Sequence, residues 1–263
     1  MANIEKHRPG DFCWIELATT DQAAAKKFYG ELFGWATDDS PMGPGDFYTT
    51  FKIDGREAAA AYTLRTEQRA QGIPPHWNLY VAVENADDDA KRAAELGGKI
   101  LAAPFDVFDA GRMAVMQDPT GASFSIWQAA KSIGTRITGV PGTLCVADLM
   151  TPDQEAASHF YEKLFGWKIG KEDEEPVHRY YHLFNGEEFI GGIPPASFRD
   201  PSVPPHWQIY ILVADCAAAS AHAKKLGAEI FLPPMDIEGI GWISVMADPQ
   251  GAVFAVFQAA RAN

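Results

Sequence analysis

FYGELFGW, residues 28–35, is written a second time as FYEKLFGW at 160–167. The doubling continues around it. PPHWNLYVAV at 74–83 returns as PPHWQIYILV at 204–213. DPTGASFSIWQAA at 118–130 returns as DPQGAVFAVFQAA at 248–260, with eight of thirteen positions identical. A period of about 130 residues is far longer than that of solenoids or propellers. The chain therefore reads as one structural unit made twice, over 1–130 and 143–263. The joint KSIGTRITGVPG, 131–142, carries the Gly, Ser, Thr and Pro expected of a linker.

Each half shows the same order of elements. CWIELA alternates as a strand does. Thr19 and Gln22 stand at capping-box spacing before AAAKKFYGELF, and Gly34 supplies a stop, so a helix is predicted there; Thr151, Gln154 and Gly166 repeat the signals. Ala24, Phe28 and Leu32 share one face of that helix. FYTTFKI and AAAAYTL follow as short strand-like runs, split by the turn DG. PPHWNLYVAV opens a further strand, NADDDAKRAAELGG reads as a second helix, and KILAAPF, RMAVMQ and SFSIWQ read as three more strands. The βαβββ module thus occurs four times.

That order, with FY…LFGW closing the first helix and DPxG before the last strand, resembles the vicinal oxygen chelate superfamily. Glyoxalase I, bleomycin-resistance proteins, fosfomycin-resistance enzymes and extradiol dioxygenases belong to it. The twin layout is similar to a bacterial glyoxalase-like subgroup. The resemblance implies an α+β fold: four βαβββ modules paired into two cup-shaped eight-stranded mixed sheets, with helices outside and ligand sites inside. It says little about activity, which must be argued from the site.

Composition excludes several classes. The chain has 263 residues, 47% hydrophobic and 22% charged, as globular proteins do. With 22 Lys and Arg against 35 Asp and Glu, its net charge of -13 disfavours nucleic acid and anionic membranes. No apolar run approaches the roughly 20 residues of a membrane span, and the first residues lack a signal core. Cys13, Cys145 and Cys216 form no CxxC pair, which suits reduced thiols in the cytoplasm. A monomer and a homodimer both fit.

Strand alternation separates a helix-packed face from a cup face. In the first half the cup receives Trp14, Glu16, His76, Asn78, Tyr80, Ser123, Ser125 and Trp127. In the second it receives Val146, Asp148, His206, Gln208, Tyr210, Val253, Ala255 and Phe257. Cys13 and Cys145 are expected on the helix side, as packing residues. The metal positions that the resemblance implies fall on Trp14, Asn78 and Ser125, and on Val146, Gln208 and Ala255. Those residues do not supply what a first-row ion or magnesium needs, so no metal or other cofactor is expected. A displaced site would have only Glu16 with His76, or Asp148 with His206, too few ligands for tight binding.

Bland roles stand beside functional ones. His76 and His206 either face a ligand or bond a backbone carbonyl at a rigid Pro-Pro strand entry. Glu16 and Asp148 either pair with an arginine such as Arg112 or act as dehydrated acids with raised pKa. Trp14, Trp127 and Phe257 either fill the cup or line it for a flat ligand. The acidic run KEDEEP at 171–176 reads as a solvated loop; PMGPGD at 41–46 and GIPPASFRDPSVPP at 192–205 read as cup rims. The leading expectation is a metal-independent protein that binds a small organic molecule in one or both cups, for sequestration or detoxification as in bleomycin-resistance proteins; the more polar first cup is favoured, and the second, with Val146, Ala255 and Phe257, reads as degenerate and structural. The rival is a lyase, isomerase or cyclase in which Glu16 or His76 moves a proton. A third reading is a scaffold with plugged cups.

Overall fold

The computed structural model describes residues 2–171 and 179–260. The KEDEEP run, beyond the backbone of its first residue, lies outside the described residues. A two-residue strand, β1 (Ala2–Asn3), leads into β2 (Phe12–Thr19), α1 (Gln22–Phe33), β3 (Ala36–Gly43), β4 (Asp46–Ile53), β5 (Arg56–Thr63) and α2 (Thr66–Ala70). β6 (His76–Ala82), α3 (Ala86–Glu95), β7 (Lys99–Val107), β8 (Gly111–Gln117) and β9 (Ser123–Ala129) complete the half. β10 (Ile137–Thr138) then pairs antiparallel with β1. The second half runs β11 (Leu144–Met150), α4 (Gln154–Phe165), β12 (Lys168–Lys171), β13 (Tyr181–Asn185), β14 (Glu188–Ile193), β15 (His206–Leu212), α5 (Cys216–Lys225), β16 (Glu229–Ile237), β17 (Gly241–Ala247) and β18 (Val253–Ala259).

Each half makes one eight-stranded mixed sheet, ordered β3-β4-β5-β2-β6-β9-β8-β7 and β12-β13-β14-β11-β15-β18-β17-β16. In both, two modules meet at an antiparallel central pair, β2 with β6 and β11 with β15. Parallel pairs flank that seam, β2 with β5 and β6 with β9 in the first sheet. Neither sheet closes into a barrel, so the architecture is the α+β arrangement of paired modules.

Local chemistry explains the helix ends. The caps are Asp21 and Asp153, whose side chains accept from Ala24 and Ala156 N–H, both at 2.9 Å. Thr19 and Thr151, expected as caps, instead accept from the N–H of those aspartates at 3.3 and 3.2 Å. Gly34 and Gly166 close the helices at φ 71° and 72°, a left-handed turn that other residues resist. Residues 41–43 form the end of β3, where Pro41 sits on an outermost strand that needs no N–H from it.

The helix-covered faces of the two sheets share one core. Phe28, Tyr29 and Phe33 of α1 meet Phe254 of the other half at 6.2, 5.5 and 6.0 Å between ring centroids. Phe160, Tyr161 and Phe165 of α4 meet Phe124 reciprocally at 6.0, 5.5 and 6.0 Å. The repeated motifs supply the polar links. Trp77 Nε1–H donates to Tyr29 Oη (3.2 Å), and Tyr29 donates to Asp248 across the junction (3.0 Å). Trp207 donates to Tyr161 (3.0 Å), and Tyr161 to Asp118 (3.1 Å). Trp35 donates to Gly142 O and Trp167 to Gly10 O, at 3.0 and 2.9 Å. Buried donors demand partners, and here each half satisfies the other.

Two features depart from simple alternation. The β2–β6 register shifts between Phe12 and Trp14, and the β11–β15 register shifts between Leu144 and Val146. A bulge reverses side-chain direction. Phe12 therefore turns to the core, 5.5 Å from the rings of both Trp167 and Trp207. Cys13, expected on the helix side, instead packs with Tyr80, Ala82 and Trp127 in a separate cluster. Burial holds its thiol far above the ordinary range and pushes Cys145 up to about 12, so neither is a ready nucleophile. Residues between the halves are tied down as well: Ile137 is buried, Thr135 N–H donates to Cys13 O (2.7 Å), and Gly142 N–H donates to Leu212 O (2.8 Å).

Candidate functional site

Strand register assembles the first cup. Glu16 stands opposite Asn78, Trp14 opposite Tyr80, and Ala18 opposite His76. On the other flank Ala18 pairs with Tyr62, and Tyr62 with Tyr48. Paired residues share a face, so Trp14, Glu16, Tyr48, Tyr62, Asn78 and Tyr80 form a polar, aromatic half of the cup. Ser125 follows beside Tyr80, then Val115, with Met113 against Trp127 and Phe105 at the edge. That second half is apolar.

Glu16 is the carboxyl on the central strand pair of the cup. Tyr80 Oη donates to its Oε1 at 2.9 Å, and Trp14 Nε1–H donates to Tyr48 Oη at 3.0 Å. Burial raises the Glu16 pKa; the donors Tyr48, Tyr80 and Asn78, and then Arg65, pull it back. Burial, then the charge of Glu16, raises Tyr48 and Tyr80 far above the ordinary phenol range, so both remain neutral donors.

The second cup repeats the plan. Tyr180 Oη donates to Asp148 Oδ1 at 2.6 Å. Burial pushes the Asp148 pKa up to about 6, against the hydrogen bonds of Tyr180, Tyr210 and the Gly192 N–H. Gly192 is required: a Cβ there would lie within 2.3 Å of the Tyr180 ring. Tyr48 and Tyr180 each lie 32 residues after the acid that they contact. That shared interval is the one signal of them in the sequence, but it spans a helix and strand edges, so alternation along one strand does not reveal it.

The other expected residues take varied places. His76 Nδ1 lies 2.7 Å from Pro74 O, and His206 Nδ1 lies 2.9 Å from Pro204 O. A carbonyl only accepts, so Nδ1 carries a proton in both rings, and the neutral tautomer has its lone pair on Nε2. The bonded partner of His76 is thus the Pro-Pro entry rather than Glu16. Burial lowers the His206 pKa. Trp127 donates to Ser132 O (2.9 Å), Gln208 donates to Ile209 O (3.1 Å), Ser125 is buried, and Ser123 is exposed. Arg112 bonds Asp87 and Asp106 instead of either cup acid. A separate cleft of about 460 Å³ lies where Pro9 and Gly10 meet Arg92 and Lys163, and includes none of these cup residues.

A divalent metal does not fit this donor set. Glu16 and Asp148 stand among tyrosines that stay protonated. Among the described residues no three His, Cys, Asp or Glu side chains cluster as metal ligands do.

The model of the Glyoxalase/Bleomycin resistance protein/Dioxygenase superfamily matches residues 12–126 and 143–256. The chain belongs to this superfamily. It is 38% identical to "Putative glyoxylase CFP32" of Mycobacterium tuberculosis (strain CDC 1551 / Oshkosh) over 263 residues, 99% of either chain. It is 35% identical to the anthracycline biosynthesis protein DnrV of Streptomyces peucetius, covering 97% of this chain and 95% of that one. The fold is similar to that of the Mn(II)-bound glyoxalase from Novosphingobium aromaticivorans, with TM-score 0.65, 16% identity, and 95% and 82% of the two chains covered. It is also similar to an extradiol ring-cleaving dioxygenase from B. fuscum, with TM-score 0.66, 12% identity, and coverages of 99% and 75%. Among the described residues no helix is long and apolar enough to cross a membrane.

Proposed function

We propose that this chain is a metal-independent member of the superfamily whose first cup binds a small, partly aromatic or carbonyl-bearing molecule. The observation that carries the reading is the Glu16 carboxyl, held by Tyr80 and Tyr48 beneath the rings of Trp14 and Tyr62. Aromatic faces suit a flat ligand, and a carboxyl with phenols suits its polar edge. The similarity to a protein named for anthracycline biosynthesis supports a ligand of aromatic type. The role that follows is sequestration or detoxification. Tryptophan fluorescence titration with 1,4-naphthoquinone tests it, comparing the native protein with Trp14→Phe and Glu16→Gln. Saturable quenching that both substitutions weaken supports the reading; quenching unaffected by either contradicts it.

A second reading is catalytic, favoured by the dehydration of Glu16. A carboxyl whose pKa has moved toward neutrality can hold and release a proton beside a bound carbonyl, the work of a lyase or isomerase. His76, oriented by the bond from Nδ1 to Pro74 O, is the second candidate through its Nε2 lone pair. Once a turned-over molecule is known, Glu16→Gln separates the two: loss of turnover with retained affinity marks the enzyme.

A further inference from the structure

We infer that the second cup is a ligand site in its own right, taking an apolar molecule that carries one protonated amine. The inference rests on the reading of the cups as ligand sites and concerns a different one of them.

The repeat makes the two cups directly comparable. Trp14, Tyr62, Ser123, Ser125 and Trp127 of the first cup correspond to Val146, Pro194, Val253, Ala255 and Phe257. Three large rings have become smaller groups and two hydroxyls have become hydrocarbon. At these positions the second cup is the more apolar of the two. Register sets Leu232 beside Val245, Val245 beside Ala255, and Ile243 beside Phe257 on one continuous wall. Leu232, Val245, Ile243, Phe257 and Val146 are half-buried, and Met235 at the rim is 44% exposed. A concave wall that keeps this much apolar surface in water gains free energy when an apolar body covers it.

The acid is kept while the rest changes. Asp148 is 8% exposed and is held by Tyr180, Tyr210 and the Gly192 N–H, all of them neutral. Among the described residues its charge enters no ion pair. A carboxylate has about four lone-pair positions, so these donors leave one to accept another hydrogen bond. Tyr180 has spare capacity too. Its counterpart Tyr48 accepts from the Trp14 indole, whereas the Val146 side chain has no N–H to give. An ammonium group would meet two acceptors and neutralise a dehydrated charge, beside the rings of Tyr180 and Tyr210 that favour a cation. An alcohol would supply the hydrogen bond without the charge. A carboxylate ligand would add a second negative charge to a chain already at -13.

The test is calorimetric titration of the whole chain with n-octylamine hydrochloride, octan-1-ol and sodium octanoate at neutral pH and low salt. Octylammonium is expected to bind, octanol roughly tenfold more weakly and octanoate more weakly still. Val146→Trp, which restores the first cup's residue, should weaken octylammonium by about tenfold or more with the circular dichroism spectrum unchanged. Asp148→Asn should bring octylammonium and octanol to within about threefold of each other. Should either variant fail to fold, the Ile243 δ1-methyl resonance of the unaltered protein reports the same site and should shift on titration. Equal binding of octanoate, or an Ile243 resonance that stays still while octylammonium binds, would overturn the inference. If 1,4-naphthoquinone binds the first cup while none of the three octyl probes binds, the second-cup inference fails and the proposed function stands. If neither class of probe binds, both fail.

Discussion

Asp148 and Glu16 are the two residues on which the proposed chemistry turns, and burial raises the pKa of both. The folded protein keeps the Asp148 proton up to about pH 6, against an ordinary value of 3.8. In that window the unfolded chain has already lost its proton, so folding stability falls as pH rises from about 4 to about 6. It is fully present below that range. Asp148→Asn removes the titration. Its stability relative to the native protein should therefore rise with pH, by about 3 kcal/mol at most between pH 4 and pH 7. Urea unfolding at several pH values measures this, and a difference independent of pH contradicts it. Gly192→Ala makes a complementary test. The added methyl would occupy the Tyr180 ring position, so the ring must move and Asp148 loses its 2.6 Å phenol donor. The Asp148 pKa, followed by carboxyl carbon NMR, should climb further above about 6.

Among the helices and strands, the repeated motifs pin the two halves together rather than form the ligand site. The FY tyrosine, the HW tryptophan and the DPxG aspartate make one hydrogen-bonded chain, and the tyrosine–aspartate link crosses the junction in both directions. Tyr29→Phe would leave Asp248 and the Trp77 indole each short of a partner in a buried place. The expected cost is about 1–3 kcal/mol for each group left unpaired. A double-mutant cycle with Asp248→Asn should show coupling of at least about 0.5 kcal/mol; strict additivity would contradict the link. Much of this layout is legible in the sequence. Alternation places Glu16, Asn78 and Tyr80 on one face, and glycine stops end α1 and α4 where expected. The caps fall two residues later than expected because Thr19 and Asp21 both have capping chemistry, and only backbone geometry selects Asp21. The bulges beside Cys13 and Cys145 are invisible there because one extra residue in a register leaves no mark on a single strand. Tyr48 and Tyr180 escape a local reading because each reaches its acid from another strand or its approach, and pairing between distant segments cannot be read from local periodicity.

Across the full chain, the shared aromatic core implies that neither half is an autonomous folding unit. Calorimetry should show one transition, with the van't Hoff and calorimetric enthalpies in agreement. Two resolved transitions would mean that the links across the junction are weak. The twofold plan also gives the two acids distinct settings. Glu16 sits among rings with Arg65 within electrostatic reach, while Asp148 sits beneath a more aliphatic wall with only neutral donors. On the proposed reading, shape and a few hydrogen bonds do the selecting in both cups, without a metal ion. Elemental analysis of the native protein, purified without chelators, is the decisive check on that selection without metal. No first-row metal is expected to approach one ion per chain. A stoichiometric ion that stays through dialysis, and that the Glu16→Gln or Asp148→Asn protein loses, would contradict it.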